Sequence, residues 1–202
     1  MDRILRGVMK YRHIDKAKML QQFLQVRDTP TPKAVFFTCM DSRMLPTRFT
    51  DMNIGDMLIV RNPGNVIPNS QHFQDELTTN EPTALELGCI VNNIRHVIVC
   101  GHSDCKAAET PMKHFVAHID PDNKFAFEDK LSQIHTLQQV QNIASYGFLK
   151  KRLETDQIHI HAMWFDIYTG EIYYFSRQAK RFVVIDENNF DRLVGEVERY
   201  HM

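Results

Sequence analysis

Val97-Ile98-Val99-Cys100 runs straight into Gly101-His102-Ser103-Asp104-Cys105, an unbroken apolar tetrapeptide followed by a polar, ligand-bearing turn. A short run with no polar member reads as a strand buried on both faces. Two earlier runs have the same character. Ala34-Val35-Phe36-Phe37 follows the breaker Asp28-Thr29-Pro30-Thr31-Pro32, and Met57-Leu58-Ile59-Val60 follows the turn signal Gly55-Asp56. Between the second and third runs, residues 83–94 read as a helix, with Pro82 in or before its first turn. Buried strands alternating with helices predict an α/β fold, a mostly parallel sheet flanked by helices. Further on, residues 158–165 and 171–175 are joined through Asp166-Ile167-Tyr168-Thr169-Gly170 and read as a C-terminal hairpin that adds an antiparallel edge strand. Helical spacing is also present in residues 15–26 (Ala17, Leu20, Phe23, Leu24) and in residues 132–153, with a break expected near Gly147.

The chain has 202 residues, 43% hydrophobic and 24% charged. That is enough for one ample core, and we expect a single domain over 1–202 with an N-terminal helical arm over about 1–28. A formal net charge of -1 argues against nucleic acid as a partner. No apolar run is long enough to span a bilayer, so no membrane partner is expected. The N-terminus lacks the apolar segment and small-residue site of a secretory signal. Arg3, Arg6, Lys10 and Arg12 near the start fit either a mitochondrial address or the first helix of the domain. The expected location is therefore intracellular, mitochondrial or cytoplasmic, and not secreted.

Four cysteines in such a chain do not suggest a disulfide framework. Cys89 and Cys100 lie in apolar surroundings and read as core residues. Cys39 and Cys105 lie among polar ones. Cys39 follows the first strand, whereas His102 and Cys105 follow the third. Parallel sheets build their sites outside the carboxyl ends of strands, so two distant segments converge on one edge. Two thiolates and one imidazole make three ligands for one Zn²⁺ per chain. No fourth Cys or His lies near in either segment, which predicts an open, catalytic type of site. In Cys39-Met40-Asp41-Ser42-Arg43, the Asp41 carboxylate is placed to bind the metal or to accept a hydrogen bond from its water, and Arg43 to grip that carboxylate in both arms. The alternative for this pair is an ion pair that stabilises a loop.

Taken together, Cys39-Met-Asp-Ser-Arg43, Arg61-Asn-Pro-Gly-Asn65, Glu81-Pro-Thr-Ala-Leu-Glu-Leu-Gly88 and Cys100-Gly-His-Ser-Asp-Cys105 resemble the β-class carbonic anhydrases. Arg3-Ile-Leu-Arg-Gly7 and Trp164-Phe-Asp-Ile-Tyr-Thr-Gly170 suggest the animal branch of that family. The resemblance implies zinc on Cys39, His102 and Cys105, with Asp41 and Arg43 as the catalytic dyad and Asp41 a metal ligand only in a closed state. It implies reversible hydration of carbon dioxide to bicarbonate and a proton through a hydroxide on the zinc, in a homodimer or higher homo-oligomer whose N-terminal helices reach across to the partner. The chain departs from the family in three places. Lys106 replaces the glycine usual after the second zinc cysteine, Pro30 stands where plant members carry a substrate-contacting glutamine, and the stretch from Cys105 to Val140 is short for the animal branch. The last departure gives the alternative, a non-catalytic zinc-stabilised or bicarbonate-binding module inactivated by its shortened middle segment.

The remaining histidines read as structural. His159 and His161 share one strand face, geometrically open to a metal pair but without a Cys or carboxylate partner. His114 and His118 are spaced four apart on a stretch that Pro111 and Pro121 keep short.

Overall fold

A computed structural model describes residues 1–73, 80–107 and 119–201. His114 and His118 lie outside these residues. Six strands form one sheet: β1 (Ala34–Cys39), β2 (Met57–Asn62), β3 (His96–His102), β4 (His159–Phe165), β5 (Ile172–Ser176) and β6 (Arg181–Val184). Their spatial order is β2-β1-β3-β4-β5-β6. The first four are parallel, whereas β5 and β6 are antiparallel additions. The expected mostly parallel sheet with an added antiparallel edge is therefore present. The outermost strand is β6, which the hairpin reading did not include because Arg181-Phe-Val-Val184 is too short to stand out.

Eight helices are described: α1 (Asp2–Lys10), α2 (Lys16–Val26), α3 (Pro46–Phe49), α4 (Ser70–Phe73), α5 (Asn80–Leu85), α6 (Phe127–Ala144), α7 (Gly147–Glu154) and α8 (Phe190–His201). A π-helical stretch, Tyr11–Asp15, joins α1 to α2, and another, Glu86–Val91, continues α5. The chain is helical from Asp2 to Val26, a longer span than the apolar periodicity of residues 15–26, and these helices have no buried residue. None of the described helices is long and apolar enough to cross a membrane.

One face of the sheet buries Val35, Phe37, Val97, Val99 and Ile160 against α5, α6 and α7, with Leu85, Ile143 and Leu149 fully covered. The other face buries Phe36, Met44 and Cys100. The alternation of Val35 with Phe36 and of Val99 with Cys100 between two cores is what a strand with no polar position requires. Close packing of α6 on β3 depends on Gly101. A Cβ there would lie 2.1 Å from Thr136 Oγ1 and 3.3 Å from the Trp164 ring. Gly101→Ala is expected to cost about 2 kcal/mol or more by overpacking, and to lower the melting temperature by about 4–8 °C. A variant that melts within 1 °C of the parent, roughly the error of a scan, contradicts this packing.

Three buried or half-buried imidazoles bear on acid stability. His96 and His161 meet Nδ1 to Nε2 at 3.1 Å, and His161 Nδ1 meets the Tyr174 hydroxyl at 3.0 Å. His96, His159 and His135 all have their pKa lowered from the ordinary 6.5, chiefly because burial disfavours the cation. Below that value the unfolded chain takes up protons that the folded chain resists, so stability falls as pH drops through about 6.5 and below. Metal-free protein is expected to melt at a lower temperature at pH 5.5 than at pH 7.5. Equal melting temperatures would contradict the burial argument.

Candidate metal centre

Cys39 is the last residue of β1 and His102 the last of β3, and these strands are neighbours in the sheet. Cys105 follows three residues later, on a turn in which Asp104 takes a left-handed φ of 54°. The ligand atoms of Cys39, His102 and Cys105 all lie within 4.8 Å of one another, and they are the one such group among the described residues. The two sulfurs are 4.0 Å apart and form no disulfide. Two segments more than 60 positions apart in the chain are thus brought together by parallel pairing alone.

The donor chemistry fits zinc. His102 is fully buried, and its Nδ1 lies 2.7 Å from the Ser103 carbonyl. A carbonyl only accepts, so the proton sits on Nδ1 and Nε2 presents a lone pair. That Nε2 has no hydrogen-bond partner among the described residues. An orphaned, correctly tautomeric imidazole nitrogen beside two sulfurs is the arrangement a metal satisfies. The Cys39 thiol is held well below its usual range, first by the hydrogen bond from Cys105, against the opposing effect of burial, and with help from His102 and from the backbone N–H groups of Asp41 and Gly64. Gly64 N–H reaches Cys39 Sγ at 3.4 Å. By contrast, burial pushes Cys89 up to about 11 and Cys100 up to about 12, so these remain inert core thiols as their surroundings suggested.

Asp41 and Arg43 meet as the sequence suggested. Arg43 Nε donates to Asp41 Oδ1 at 2.9 Å, Nη2 donates to Oδ2 at 2.7 Å, and the Arg43 backbone N–H adds a bond to Oδ1 at 2.9 Å. These contacts hold the Asp41 carboxyl well below the usual carboxylate range. Asp41 is not among the three grouped ligand residues, Cys39, His102 and Cys105.

Several supporting residues had no role in the sequence reading. Arg61, directly after the apolar run of β2, donates to the carbonyls of Cys39 at 3.2 Å and Asp41 at 2.7 Å, fixing the turn that carries both. Asn62, in register with Cys39, binds Glu81 at 2.6 Å and the Val66 carbonyl at 2.7 Å, shaping the loop that brings Gly64 to the sulfur. Helix α6 supplies the rest from one polar face. Asp129 accepts from Asp104 N–H at 2.9 Å, Ser132 donates to the His102 carbonyl at 2.6 Å, and His135 Nε2 donates to the Gly64 carbonyl at 2.8 Å. Lys106 pairs with Asp104, whose other oxygen accepts from Arg43 Nη1 at 3.1 Å. His159 and His161, the possible strand pair, sit at the opposite end of the sheet with His96 and take no part in the centre.

A two-cysteine, one-histidine cluster at the carboxyl edge of a parallel α/β sheet has the donor set of a mononuclear zinc site. The family model for carbonic anhydrase matches residues 34–121 and 112–172. Beta carbonic anhydrase 1 of Caenorhabditis elegans is 43% identical, with 98% of this chain and 93% of the relative covered. A Helicobacter pylori carbonic anhydrase is 24% identical over 94% of this chain and 97% of its own length. Among solved structures, the β-carbonic anhydrase CcaA superposes with a TM-score of 0.76 at 26% identity, covering 93% of this chain and 92% of the other. The chain belongs to the β-carbonic anhydrase family, which places it among the zinc-dependent lyases. Its alignment with the nematode relative runs over 250 residues although the chain has 202, so the relative carries residues this chain lacks. The two pieces of the family match meet at residues 112–121, within the stretch read as shortened.

Proposed function

We propose that this chain hydrates carbon dioxide reversibly to bicarbonate and a proton, with zinc held by Cys39, His102 and Cys105 and with Asp41 and Arg43 as its catalytic dyad. The observation that carries the reading is the position of Asp41, anionic and gripped by Arg43 beside a three-ligand cluster that leaves one coordination position open. Bound zinc supplies a water whose pKa is brought to about 7, hence hydroxide as nucleophile at neutral pH. Asp41 Oδ2 takes one N–H from Arg43 and keeps lone-pair capacity, so it would be able to accept one further hydrogen bond and so hold a nucleophile beside it. Arg43 keeps Asp41 out of the open position. His102 is held by the Ser103 carbonyl, so the imidazole cannot rotate away from the cluster.

We further assign residues 1–202 to one domain with a helical arm over about 1–28. The arm exposes Ile4, Leu5, Val8, Ile14, Leu20 and Leu24, each at least half exposed. An apolar helix without a buried residue gains little stability alone, which supports a homo-oligomer in which a second copy covers it. Four cysteines that form no disulfide suit a reducing compartment, which supports an intracellular site of action, mitochondrial or cytoplasmic.

The second reading is a zinc-stabilised or bicarbonate-binding module without turnover, favoured by the residues missing relative to the nematode protein. Exchange of oxygen-18 between labelled bicarbonate and water separates the two. The enzyme accelerates label loss in proportion to added zinc protein. A module binds bicarbonate and leaves the exchange at its uncatalysed rate, which would refute the proposed activity.

A further inference from the structure

The Arg43 guanidinium has a third acceptor that the dyad does not require. Nε and Nη2 serve Asp41, while Nη1 donates to Asp104 Oδ2 at 3.1 Å across 61 residues of chain. Asp104 is itself fixed. Its left-handed backbone, φ 54°, sets the direction of its side chain, and its N–H is bound by Asp129 on α6 at 2.9 Å. Its second carboxylate oxygen is paired with Lys106, whose side chain is otherwise 85% exposed. The four groups alternate in sign along one line: Asp41, Arg43, Asp104, Lys106.

We propose that Asp104 is a positioning residue that clamps the third edge of Arg43, and that Lys106 cancels the charge this clamp brings beside the position where the anionic product binds. The inference rests on the reading of Asp41 and Arg43 as the dyad. A guanidinium held on two edges by one carboxylate can pivot together with that carboxylate. A third contact from a separate loop removes the pivot and keeps Asp41 aimed past the metal position. Asp104 alone would leave two carboxylates against one guanidinium, a surplus negative charge that disfavours bicarbonate. Lys106, paired with the second oxygen of Asp104, restores neutrality. Exposed ion pairs of this kind contribute little to folding, so the effect belongs to the site rather than to the stability of the chain.

The test uses the full chain with cobalt in place of zinc, whose visible absorption reports the coordination sphere, and with azide as the anion probe. The variants are Asp104→Asn, Asp104→Glu, Lys106→Met and the double Asp104→Asn/Lys106→Met. All are expected to retain metal against a chelator and to melt within about 2 °C of the parent. Asp104→Asn is expected to change the absorption band and to weaken azide about tenfold, because a freed Asp41 competes for the open position. Asp104→Glu should restore both. Lys106→Met should keep the band and weaken azide about threefold to tenfold through charge alone. The double variant, neutral again but unclamped, should bind azide more weakly than Asp104→Asn by the same threefold to tenfold. Parent-like absorption and azide affinity in Asp104→Asn would overturn the clamp, as would a large loss of melting temperature with an unchanged band, or recovery of affinity in the double variant. Absence of azide binding in the parent would overturn it too. Because no readout is turnover, a parent that binds azide but does not hydrate carbon dioxide would refute the proposed activity and leave the clamp standing.

Discussion

Cys39→Ser is expected to strip the chain of zinc. The substitution replaces a soft thiolate by a hydroxyl that stays protonated at neutral pH, and zinc sites of this kind depend on deprotonated sulfur. The loss should exceed the ~10–100-fold that changes outside the ligand set produce. The local fold gives the sulfur no compensating use, since the groups it meets, among them the Gly64 N–H at 3.4 Å and the Cys105 sulfur at 4.0 Å, lie at the site. Cys105→Ser should behave alike, whereas Cys89→Ser and Cys100→Ser should keep the metal and lose stability instead, because each places a hydroxyl in a fully buried apolar position. Metal analysis after dialysis against a chelator reads all four. Full zinc occupancy in Cys39→Ser or Cys105→Ser would contradict the ligand assignment.

Arg43→Ala is expected to have the opposite signature: zinc retained, turnover reduced at least ~100-fold, the scale of one positioned catalytic group. The substitution removes both side-chain bonds that hold Asp41, at 2.9 Å and 2.7 Å, together with the link to Asp104. Asp41 then competes with water for the open coordination position and no longer orients the nucleophile. Hydration kinetics on protein of measured zinc content check this. Near-normal turnover would reduce the pair to a structural tie between two turns.

The sheet and the metal ligands were legible because each rests on a local signal. Three apolar runs without a polar member mark buried parallel strands, and the polar residues directly after two of them must then meet at one edge. Helix α6 was legible only in part. Its inward face carries Asp129, Ser132, His135 and Gln139, each bonded to the loops around the centre or to the chain near Ile67, so buried polar residues replace the apolar stripe that periodicity detects. The clamp on Arg43 was not legible, because Asp104 and Arg43 are joined only through the pairing of β1 with β3 and the left-handed turn after β3. Likewise β6 and α8 follow the last recognised motif, and their signal is a short alternation and an amphipathic helix with no chemistry attached. His96 shows the same limit from the other side. Sequence placed His159 and His161 on one face but could not supply the neighbour that parallel pairing sets beside them.

The most direct measurement is stopped-flow hydration of carbon dioxide by the full chain, with zinc content determined on the same samples as the metal is removed and restored. The account predicts a catalysed rate that rises in proportion to zinc occupancy, reaches its maximum at one zinc per chain, and disappears in Cys39→Ser. A protein that holds one zinc per chain and leaves hydration at the uncatalysed rate would contradict it.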